Sequence, residues 1–210
     1  MPITVFLADD HVVVRQGLKS LLEREGFRIV GEASEGHAAV QQVANLKPDI
    51  AVLDVSMPLM NGIDAAREIG RVSTKTRTIL LTKFDEEQYV SAALRAGVRG
   101  YVLKTQVATD LCHAILQVNQ GKSYLSPGVS QVVVNGFLGQ SGSSEDPLSP
   151  RERQVLQLIG EGKSTKEVAA LLGISVKTAE SHRTRLMQKL DIHETATLVR
   201  YAIRRGLIQA

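Results

Sequence analysis

Three acidic side chains stand at the ends of two predicted buried strands. Asp9 and Asp10 follow an apolar run at residues 3–8, and Asp54 closes another at residues 50–54. Ligands in open α/β sheets gather at the carboxyl ends of strands, and clustered carboxylates need a cation to offset their repulsion. Mg²⁺ is the simplest candidate, because it prefers oxygen ligands. Taken singly, each acid has another interpretation, as a helix cap for Asp9 and Asp10 and as a loop residue for Asp54.

Two further strand ends add groups that suit a phosphoryl group. Thr82 ends the predicted strand at residues 78–82, and Lys104 follows the one at residues 100–103. A carboxylate can carry a covalent phosphoryl group, and phosphoryl transfer depends chiefly on positioning and charge neutralisation. A hydroxyl donor and an ammonium beside Asp54 would serve both needs. Alone, Thr82 is an ordinary strand residue and Lys104 a solvated charge, so the inference depends on the whole set.

The first 120 residues alternate strand and helix patterns. Runs rich in Val, Ile and Leu, typical of a parallel sheet covered on both faces, lie at residues 3–8, 28–33, 50–54, 78–82 and 100–103. Apolar residues at helical spacing occupy residues 14–24, 36–46, 63–72, 86–96 and 107–120. Five β–α units predict an α/β fold with a doubly wound, five-stranded parallel sheet of flavodoxin-like type.

The pattern changes after residue 122. We expect a helix at about residues 129–138 and a flexible linker in the Gly- and Ser-rich tract up to residue 147. From residue 148 the pattern is all-α, with four helices at residues 151–161, 164–172, 176–190 and 194–205. The chain therefore divides into an α/β domain at residues 1–122, a helix and linker at 123–147, and an all-α domain at 148–210.

Three serines are predicted to cap helices of the all-α domain. Ser149, Ser164 and Ser175 each precede a helical pattern and can accept bonds from its free N–H groups. Ser149 is followed three residues later by Glu152, which fits a capping box. Gly173 separates the second and third helices by a tight turn, as in helix-turn-helix units.

Charge is distributed unevenly along the chain. Residues 148–210 carry 11 Lys and Arg against 6 Asp and Glu, a net charge of +5, whereas the remainder carries 14 against 16. A basic domain favours a polyanionic partner. In the predicted helix at residues 176–190, basic and hydroxyl-bearing side chains lie opposite an apolar face, which suits a DNA major groove. An ordinary amphipathic surface helix would show the same segregation.

Nothing in the sequence suggests export or a membrane. There is one cysteine, Cys112, so no internal disulfide can form and a reducing compartment is favoured. The N-terminus lacks a basic region and a cleavage site, and no apolar stretch approaches the ~20 residues that span a bilayer. We expect a cytoplasmic protein with no membrane contact.

The first 122 residues resemble the receiver domain of two-component response regulators. The resemblance rests on the motifs ADDH at 8–11, LDVSMPLMNG at 53–62, LT at 81–82 and YVLK at 101–104. It implies that Asp54 accepts phosphate from a sensor histidine kinase. It also implies that Asp9, Asp10, Asp54 and the Ser56 carbonyl hold Mg²⁺, with Asp9 acting mainly through water. The switch and phosphate-binding residues it implies are Thr82, Tyr101 and Lys104.

In the implied switch, phosphorylation creates a new hydrogen bond. The Thr82 hydroxyl bonds a new phosphoryl oxygen and draws its loop inward, and Tyr101 then rotates into the vacated space. Two positions depart from the family pattern, since Lys83 stands where a small residue is common and Thr105 where Pro is common. Lys83 could crowd the phosphate or add positive charge. The peptide bond at 104–105 cannot be assumed cis, which without Pro would cost ~3–4 kcal/mol.

The C-terminal part resembles the LuxR-type helix-turn-helix of NarL/FixJ regulators, over about residues 148–207. The resemblance makes residues 176–190 the recognition helix. In relatives, positions that match Glu180, Ser181 and Thr184 face bases, and positions that match Lys177, Thr178, His182 and Lys189 approach the backbone. Arg185 is added from its place on the polar face of the helix. Glu180 either accepts from a cytosine amino group or orients Arg183 or Arg185. The last helix resembles a dimerisation helix, through Leu198, Val199 and Ala202. Its other role would be to close the domain core, and both roles can hold.

The leading hypothesis is a phosphorylation-controlled transcription factor rather than an enzyme. Phosphorylation would favour a homodimer that binds double-stranded DNA at two half-sites. A constitutive DNA-binding protein whose receiver takes no phosphate is a second possibility, for which Lys83 leaves room. A phosphohydrolase with an aspartyl intermediate is a third, although such enzymes of the haloacid-dehalogenase type need a second Asp two residues after the nucleophile, where this chain has Ser56.

Overall fold

A parallel sheet forms the centre of the N-terminal unit in this computed structural model, which describes residues 1–130 and 147–208. Its strands are β1 (Thr4–Ala8), β2 (Arg28–Ala33), β3 (Ile50–Asp54), β4 (Arg77–Thr82), β5 (Gly100–Leu103) and β6 (Tyr124–Leu125). They are arranged in the order β2-β1-β3-β4-β5-β6. The flavodoxin-like α/β fold is therefore confirmed. The predicted count of five strands was one too low, because a two-residue strand is too short to produce an apolar pattern.

Helices cover both faces of this sheet. They are α1 (Val12–Arg24), α2 (Gly36–Leu46), α3 (Gly62–Val72), α4 (Glu87–Arg95) and α5 (Val107–Asn119), with a 3₁₀ turn at Lys104–Gln106. Successive strand residues point to opposite faces, so one core contains Phe6 and Leu53 and the other contains Leu7 and Val52. All five residues of β3 are buried, which places Asp54 at the end of the most enclosed strand.

The site lies where strands β1 and β3 pair with each other. Both strands run parallel and are hydrogen-bonded neighbours, with Ala8 beside Leu53. Asp9 and Asp10, which follow β1, and Asp54, the last residue of β3, therefore lie at the same edge of the sheet. This is the point where the strand order reverses and where ligands bind in folds of this kind.

Four helices form the C-terminal unit over the described residues: α6 (Pro150–Gly160), α7 (Thr165–Leu171), α8 (Val176–Leu190) and α9 (Thr195–Arg204). The predicted capping box of Ser149 and Glu152 is present, and Ser164 forms a second one with Glu167. Ser175 accepts from the Thr178 amide at the start of α8. The turn at Gly173 has a φ of 62°, which glycine adopts without a Cβ penalty.

Two sequence expectations fall partly or wholly beyond the described residues. Of the helix expected at residues 129–138, only residues 129 and 130 are described, and they belong to a helical stretch that starts at residue 127. The Gly- and Ser-rich tract before residue 147 lies outside the description. Among the helices that are described, none combines the length and the apolar character needed to cross a bilayer.

Candidate functional site

The structure brings together the three carboxylates that the sequence singled out. Asp9 and Asp54 are buried, and the side chain of Asp10 is about one-third exposed. One ligand atom from each of Asp9, Asp10, His11 and Asp54 lies within 4.8 Å of the others. The parallel pairing of β1 and β3 fixes this arrangement, because it delivers both strand ends to one place.

Lys104 completes the pocket from the other side. Its Nζ lies 2.9 Å from Asp9 Oδ2 and 3.0 Å from Asp54 Oδ2. Burial alone would lower the pKa of Lys104, but the ion pairs with Asp54 and Asp9 outweigh burial and raise that pKa. The ammonium group is therefore charged and already bridges two of the acids. A phosphoryl group on Asp54 would meet it at once.

The oxygen atoms of the pocket fit a divalent cation. Asp10 Oδ1 and Asp54 Oδ2 are buried, and within the described residues neither accepts a hydrogen bond of favourable geometry. Each has only a nearby nitrogen, from His11 and Lys104 respectively. Buried charged oxygens without hydrogen bonds are costly, and a hard cation with oxygen ligands relieves that cost. The backbone amide of Ser56 donates to Asp54, which holds the Ser56 peptide beside the carboxylate.

Burial of Asp54 predicts a measurable stability difference. Burial raises the pKa of Asp54, and the partial compensation by Lys104 does not reverse this. The ionised carboxylate therefore opposes folding at every pH above its folded-state pKa. We expect Asp54→Asn to raise the thermal unfolding midpoint of the N-terminal unit at pH 7 in buffer without Mg²⁺.

Asp49 lies in the same unit and serves as a control, because its replacement is expected to change stability in the opposite direction. Its carboxylate accepts from the Thr4 amide at 2.8 Å and the Thr4 hydroxyl at 2.6 Å, and these bonds lower the pKa of Asp49. Asp49→Asn should therefore lower the unfolding midpoint at pH 7 while Asp54→Asn raises it. A lower midpoint for Asp54→Asn, measured by circular dichroism, would contradict the account of the buried carboxylate.

Thr82 and Tyr101 form a connected pair beside the pocket. Thr82 lies one residue beyond Leu81, the β4 partner of Asp54, and its hydroxyl oxygen accepts from the Phe84 amide at 3.1 Å. A side-chain hydrogen bond also links Thr82 with Tyr101. The Tyr101 ring is fully buried, and its hydroxyl donates to the Phe84 carbonyl at 2.9 Å.

Lys83 and Thr105, the two residues that differ from the family pattern, are both exposed. Lys83 is exposed, and its ammonium lies 5.5 Å from the centre of the Phe84 ring, within the range of a cation–π contact. The peptide bond between Lys104 and Thr105 is trans. Thr105 is exposed within the 3₁₀ turn.

Sequence reasoning missed two residues at the pocket. His11 was given no role, although it directly follows the candidate ligands Asp9 and Asp10 in the chain. Arg15 was not singled out, yet its Nη1 donates to the Asp9 carbonyl at 2.6 Å. Arg15 lies one helical turn after His11. The start of a helix directly after the two acids could have indicated that a side chain one turn along would reach back to them.

The candidate recognition helix α8 exposes most of the side chains assigned to DNA. Lys177, Thr178, Glu180, Ser181, Thr184, Arg185 and Lys189 are exposed, and His182 is half-buried. The inward face of this helix consists of Ala179 and Leu186, which are fully buried. Arg183 donates to Thr195 Oγ1 at 2.9 Å. Within the described residues Glu180 forms no ion pair with an arginine.

Lys189 has a partner inside the unit. Its Nζ lies 2.7 Å from Oε2 of Glu152, a buried carboxylate that also accepts from the Ser149 amide at 2.8 Å and the Ser149 hydroxyl at 2.9 Å. A contact from Lys189 to a DNA phosphate would have to share or break this bond. Burial alone would raise the pKa of Glu152, but the bonds from Lys189 and Ser149 outweigh it and lower that pKa.

This pair predicts acid sensitivity of the C-terminal unit. Because the folded-state pKa of Glu152 is lowered, its stabilisation is complete above the ordinary value near 4.3 and is lost as the pH falls through the folded-state pKa. At pH 7, Glu152→Gln should cost about 1–3 kcal/mol of unfolding free energy. The cost should shrink towards pH 3. Hydrogen exchange of peptides from residues 150–204 measures it in the full chain.

Glu167 is the matched control, since it forms the same box with Ser164 but on the exposed side of the unit. Glu167→Gln should change the exchange protection less than Glu152→Gln. Equal losses for the two variants would show that the bond to Lys189 adds nothing.

The predicted dimerisation residues divide into two groups. Leu198 and Ala202 are fully buried and help to close the core of the C-terminal unit, while dimerisation through this helix stays a prediction. Val199 is half-buried. On the same helix, a groove is lined by Thr197, Arg200, Ile203 and Arg204.

Comparisons with known proteins agree with this architecture. Residues 5–116 match the family described as response regulator receiver domain, and residues 146–202 match bacterial regulatory proteins of the luxR family. The chain is 37% identical over 215 residues to the oxygen regulatory protein NreC of Staphylococcus epidermidis, covering 98% of this chain and 99% of that protein. It is 37% identical over 213 residues to NreC of Staphylococcus carnosus, covering 97% and 98%.

Solved structures show the same similarity. RcsB of Salmonella enterica serovar Typhimurium, bound to a promoter in the presence of the phosphomimetic BeF₃⁻, is 31% identical with a TM-score of 0.67, covering 96% of this chain and 98% of that one. A LuxR-family regulator from Aurantimonas sp. SI85-9A1 is 30% identical with a TM-score of 0.63, covering 66% of this chain and 99% of that one.

A receiver fold with an acidic pocket defines the two-component response regulators, and the chain belongs to this family. Within it, the chain is a DNA-binding transcriptional regulator of the LuxR-type, NarL/FixJ group.

Proposed function

We propose that Asp54 accepts a phosphoryl group from a sensor histidine kinase and that this controls DNA binding by helix α8. The observation that carries the proposal is the pocket itself, in which Lys104 Nζ lies within 3.0 Å of Asp9 and Asp54. The buried carboxylate of Asp54 is the nucleophile. Its oxygen forms the new bond to phosphorus as the bond from phosphorus to the kinase imidazole nitrogen breaks.

The residues around Asp54 act by position and charge. The Ser56 amide holds the carboxylate in place, and Lys104 can donate to a phosphoryl oxygen and neutralise part of its charge. Thr82, which is buried at the neighbouring strand end, can donate its hydroxyl proton to another phosphoryl oxygen. That bond would compete with its link to Tyr101 and so couple the pocket to the loop at Phe84.

Asp9, Asp10, Asp54 and the Ser56 carbonyl would hold Mg²⁺. When bound, this ion supplies charge neutralisation between the carboxylates and the phosphoryl oxygens. The fit is supported by the two buried oxygens that accept no hydrogen bond from the described residues.

The DNA contacts belong to the exposed face of α8. Glu180, Ser181 and Thr184 would face bases, and Lys177, Thr178, His182, Arg185 and Lys189 would lie near the backbone or groove edge. The phosphorylated protein would act as a homodimer on two half-sites. Support comes from the solved structures of RcsB bound to DNA and of RcsB dimers on DNA.

We also propose the bounds of the domains, the cellular compartment and the class of activity. The receiver domain spans residues 1–122, the helix and linker 123–147, and the DNA-binding domain 148–210. The protein works in the cytoplasm, where a histidine kinase presents its phosphorylated domain. Its role is that of a regulator, and Asp54 carries the signal rather than a turnover reaction.

DNA binding is tested with fragments selected from a genomic library by the phosphorylated full-length chain. Arg185→Ala should weaken binding to the selected fragment and reduce the slope of log affinity against log salt by about one. Arg200→Ala, also exposed but on α9, is the control and should leave the salt slope unchanged. Wild-type affinity that is the same with and without phosphorylation would instead favour constitutive binding.

A further inference from the structure

His11 places a nitrogen atom among the carboxylates of the pocket. Its Nδ1 lies 2.7 Å from Asp10 Oδ1 and 3.4 Å from Asp9 Oδ1. It belongs to the group of four side chains whose ligand atoms lie within 4.8 Å of one another. Neither the family motifs nor the proposed phosphoryl chemistry gives this imidazole a role.

The contacts of His11 are those of ligand atoms arranged around a common centre. Asp10 Oδ1 accepts no hydrogen bond from the described residues, although the imidazole nitrogen is only 2.7 Å away. Neighbouring ligands of an octahedral ion with bonds of about 2.1 Å are about 3 Å apart, which matches these separations. The second observation is Asp54 Oδ2, which is buried at the same place and has Lys104 Nζ 3.0 Å away but accepts no hydrogen bond of favourable geometry from the described residues.

The backbone supports the same arrangement. The His11 amide donates to Asp9 Oδ1 at 2.8 Å, so the residue fixes one carboxylate with its main chain while its side chain approaches another. His11 is the N-cap of α1, and its side chain makes no capping hydrogen bond. The side chain is 54% exposed, so it can reach an ion without displacing a packing partner.

We propose that His11 is a direct nitrogen ligand for a first-row transition cation in this pocket, a role that rests on the proposed carboxylate site for Mg²⁺. Imidazole suits ions such as Ni²⁺, Zn²⁺ and Cu²⁺, whereas Mg²⁺ takes oxygen ligands. Three carboxylates and an imidazole therefore favour the transition cation over Mg²⁺ more strongly than the carboxylates alone. Such an ion would compete with Mg²⁺ and make phosphoryl uptake sensitive to transition metals.

The test compares affinities for Ni²⁺ and Mg²⁺ by calorimetry on the full-length chain without a polyhistidine tag. Loss of a residue that only supports a metal ligand typically lowers metal affinity 10–100-fold. Because His11 would be a direct ligand, His11→Asn should lower the ratio of Ni²⁺ affinity to Mg²⁺ affinity at least about tenfold. Asn is a favoured N-cap residue, so α1 keeps its start. His113→Asn, an exposed histidine on α5, should leave the ratio at its wild-type value.

A spectroscopic measurement reports the bond itself. With Mn²⁺ as the probe, electron spin echo modulation from a coordinated imidazole nitrogen should appear in wild type and His113→Asn and be absent in His11→Asn. An unchanged ratio, or modulation that persists in His11→Asn, would overturn the role of His11. A wild-type chain that binds no Mg²⁺ would instead remove the carboxylate site of the proposed function.

Discussion

Replacing Lys104 by Met should slow phosphoryl uptake from acetyl phosphate by about 100-fold or more. The Lys104 ammonium lies 2.9 Å from Asp9 Oδ2 and 3.0 Å from Asp54 Oδ2, so it sits where the phosphoryl oxygens arrive. Removing one positioned group that stabilises developing charge typically costs 10²–10³ in rate. Met keeps much of the stem volume and removes the charge. The rate is measured from the intact mass of the chain at increasing times.

Lys83→Met is the matched control for Lys104→Met. Lys83 is also a lysine that follows a strand end, but it is exposed and contacts the Phe84 ring. Its variant should take up phosphate at close to the wild-type rate. Equal rates for Lys104→Met and wild type would remove Lys104 from the proposed mechanism, and a slow Lys83→Met would place that ammonium in the pocket.

Replacing Gly62 by Ala should destabilise the N-terminal unit by about 3 kcal/mol, at the upper end of typical overpacking costs. A Cβ on Gly62 would lie 2.1 Å from the Asp54 carbonyl oxygen and 2.9 Å from its carbonyl carbon. Both atoms belong to the backbone, so no flexible side chain can move aside. The collision falls on the peptide of the proposed phosphoacceptor, and phosphoryl uptake should therefore slow as well. Urea unfolding and the mass assay measure the two effects.

Gly70→Ala tests whether this cost is specific to the contact. Gly70 lies in the same helix, α3, and a Cβ there would meet no atom within 4 Å. Since Ala is the better helix former, this variant should be more stable than wild type by up to about 1 kcal/mol. Similar unfolding midpoints for the two variants would contradict the close approach of α3 to the end of β3.

Patterns that depend on near neighbours in the sequence were predicted well. The five longer strands are each a short apolar run, and the acids at their ends are visible directly. The start of α1 was placed two residues late, because Val12 and Val13 are 60% and 84% exposed and do not follow the amphipathic pattern. Strand β6 has two residues and relies on its pairing with β5, so no local signal announced it.

Contacts between distant residues were harder to predict. Lys104 and Asp9 are 95 residues apart; the strand-end argument and the family resemblance placed both at one edge of the sheet, but neither predicted a direct contact between them. Lys189 and Glu152 are 37 residues apart, and the amphipathic pattern of α8 gave no indication that one of its lysines binds a buried acid. Leu198 and Ala202 show helical spacing that suits a core or a dimer face, and only the structure showed that both are buried in the core of their own unit.

The most direct measurement is the location of phosphate after incubation of the full-length chain with acetyl phosphate and Mg²⁺. The account predicts a mass gain of one phosphoryl group, confined to the peptide that contains Asp54, and no gain in Asp54→Asn. A phosphoryl group on another residue, or the same gain in Asp54→Asn, would contradict the assignment of Asp54 as the phosphoacceptor.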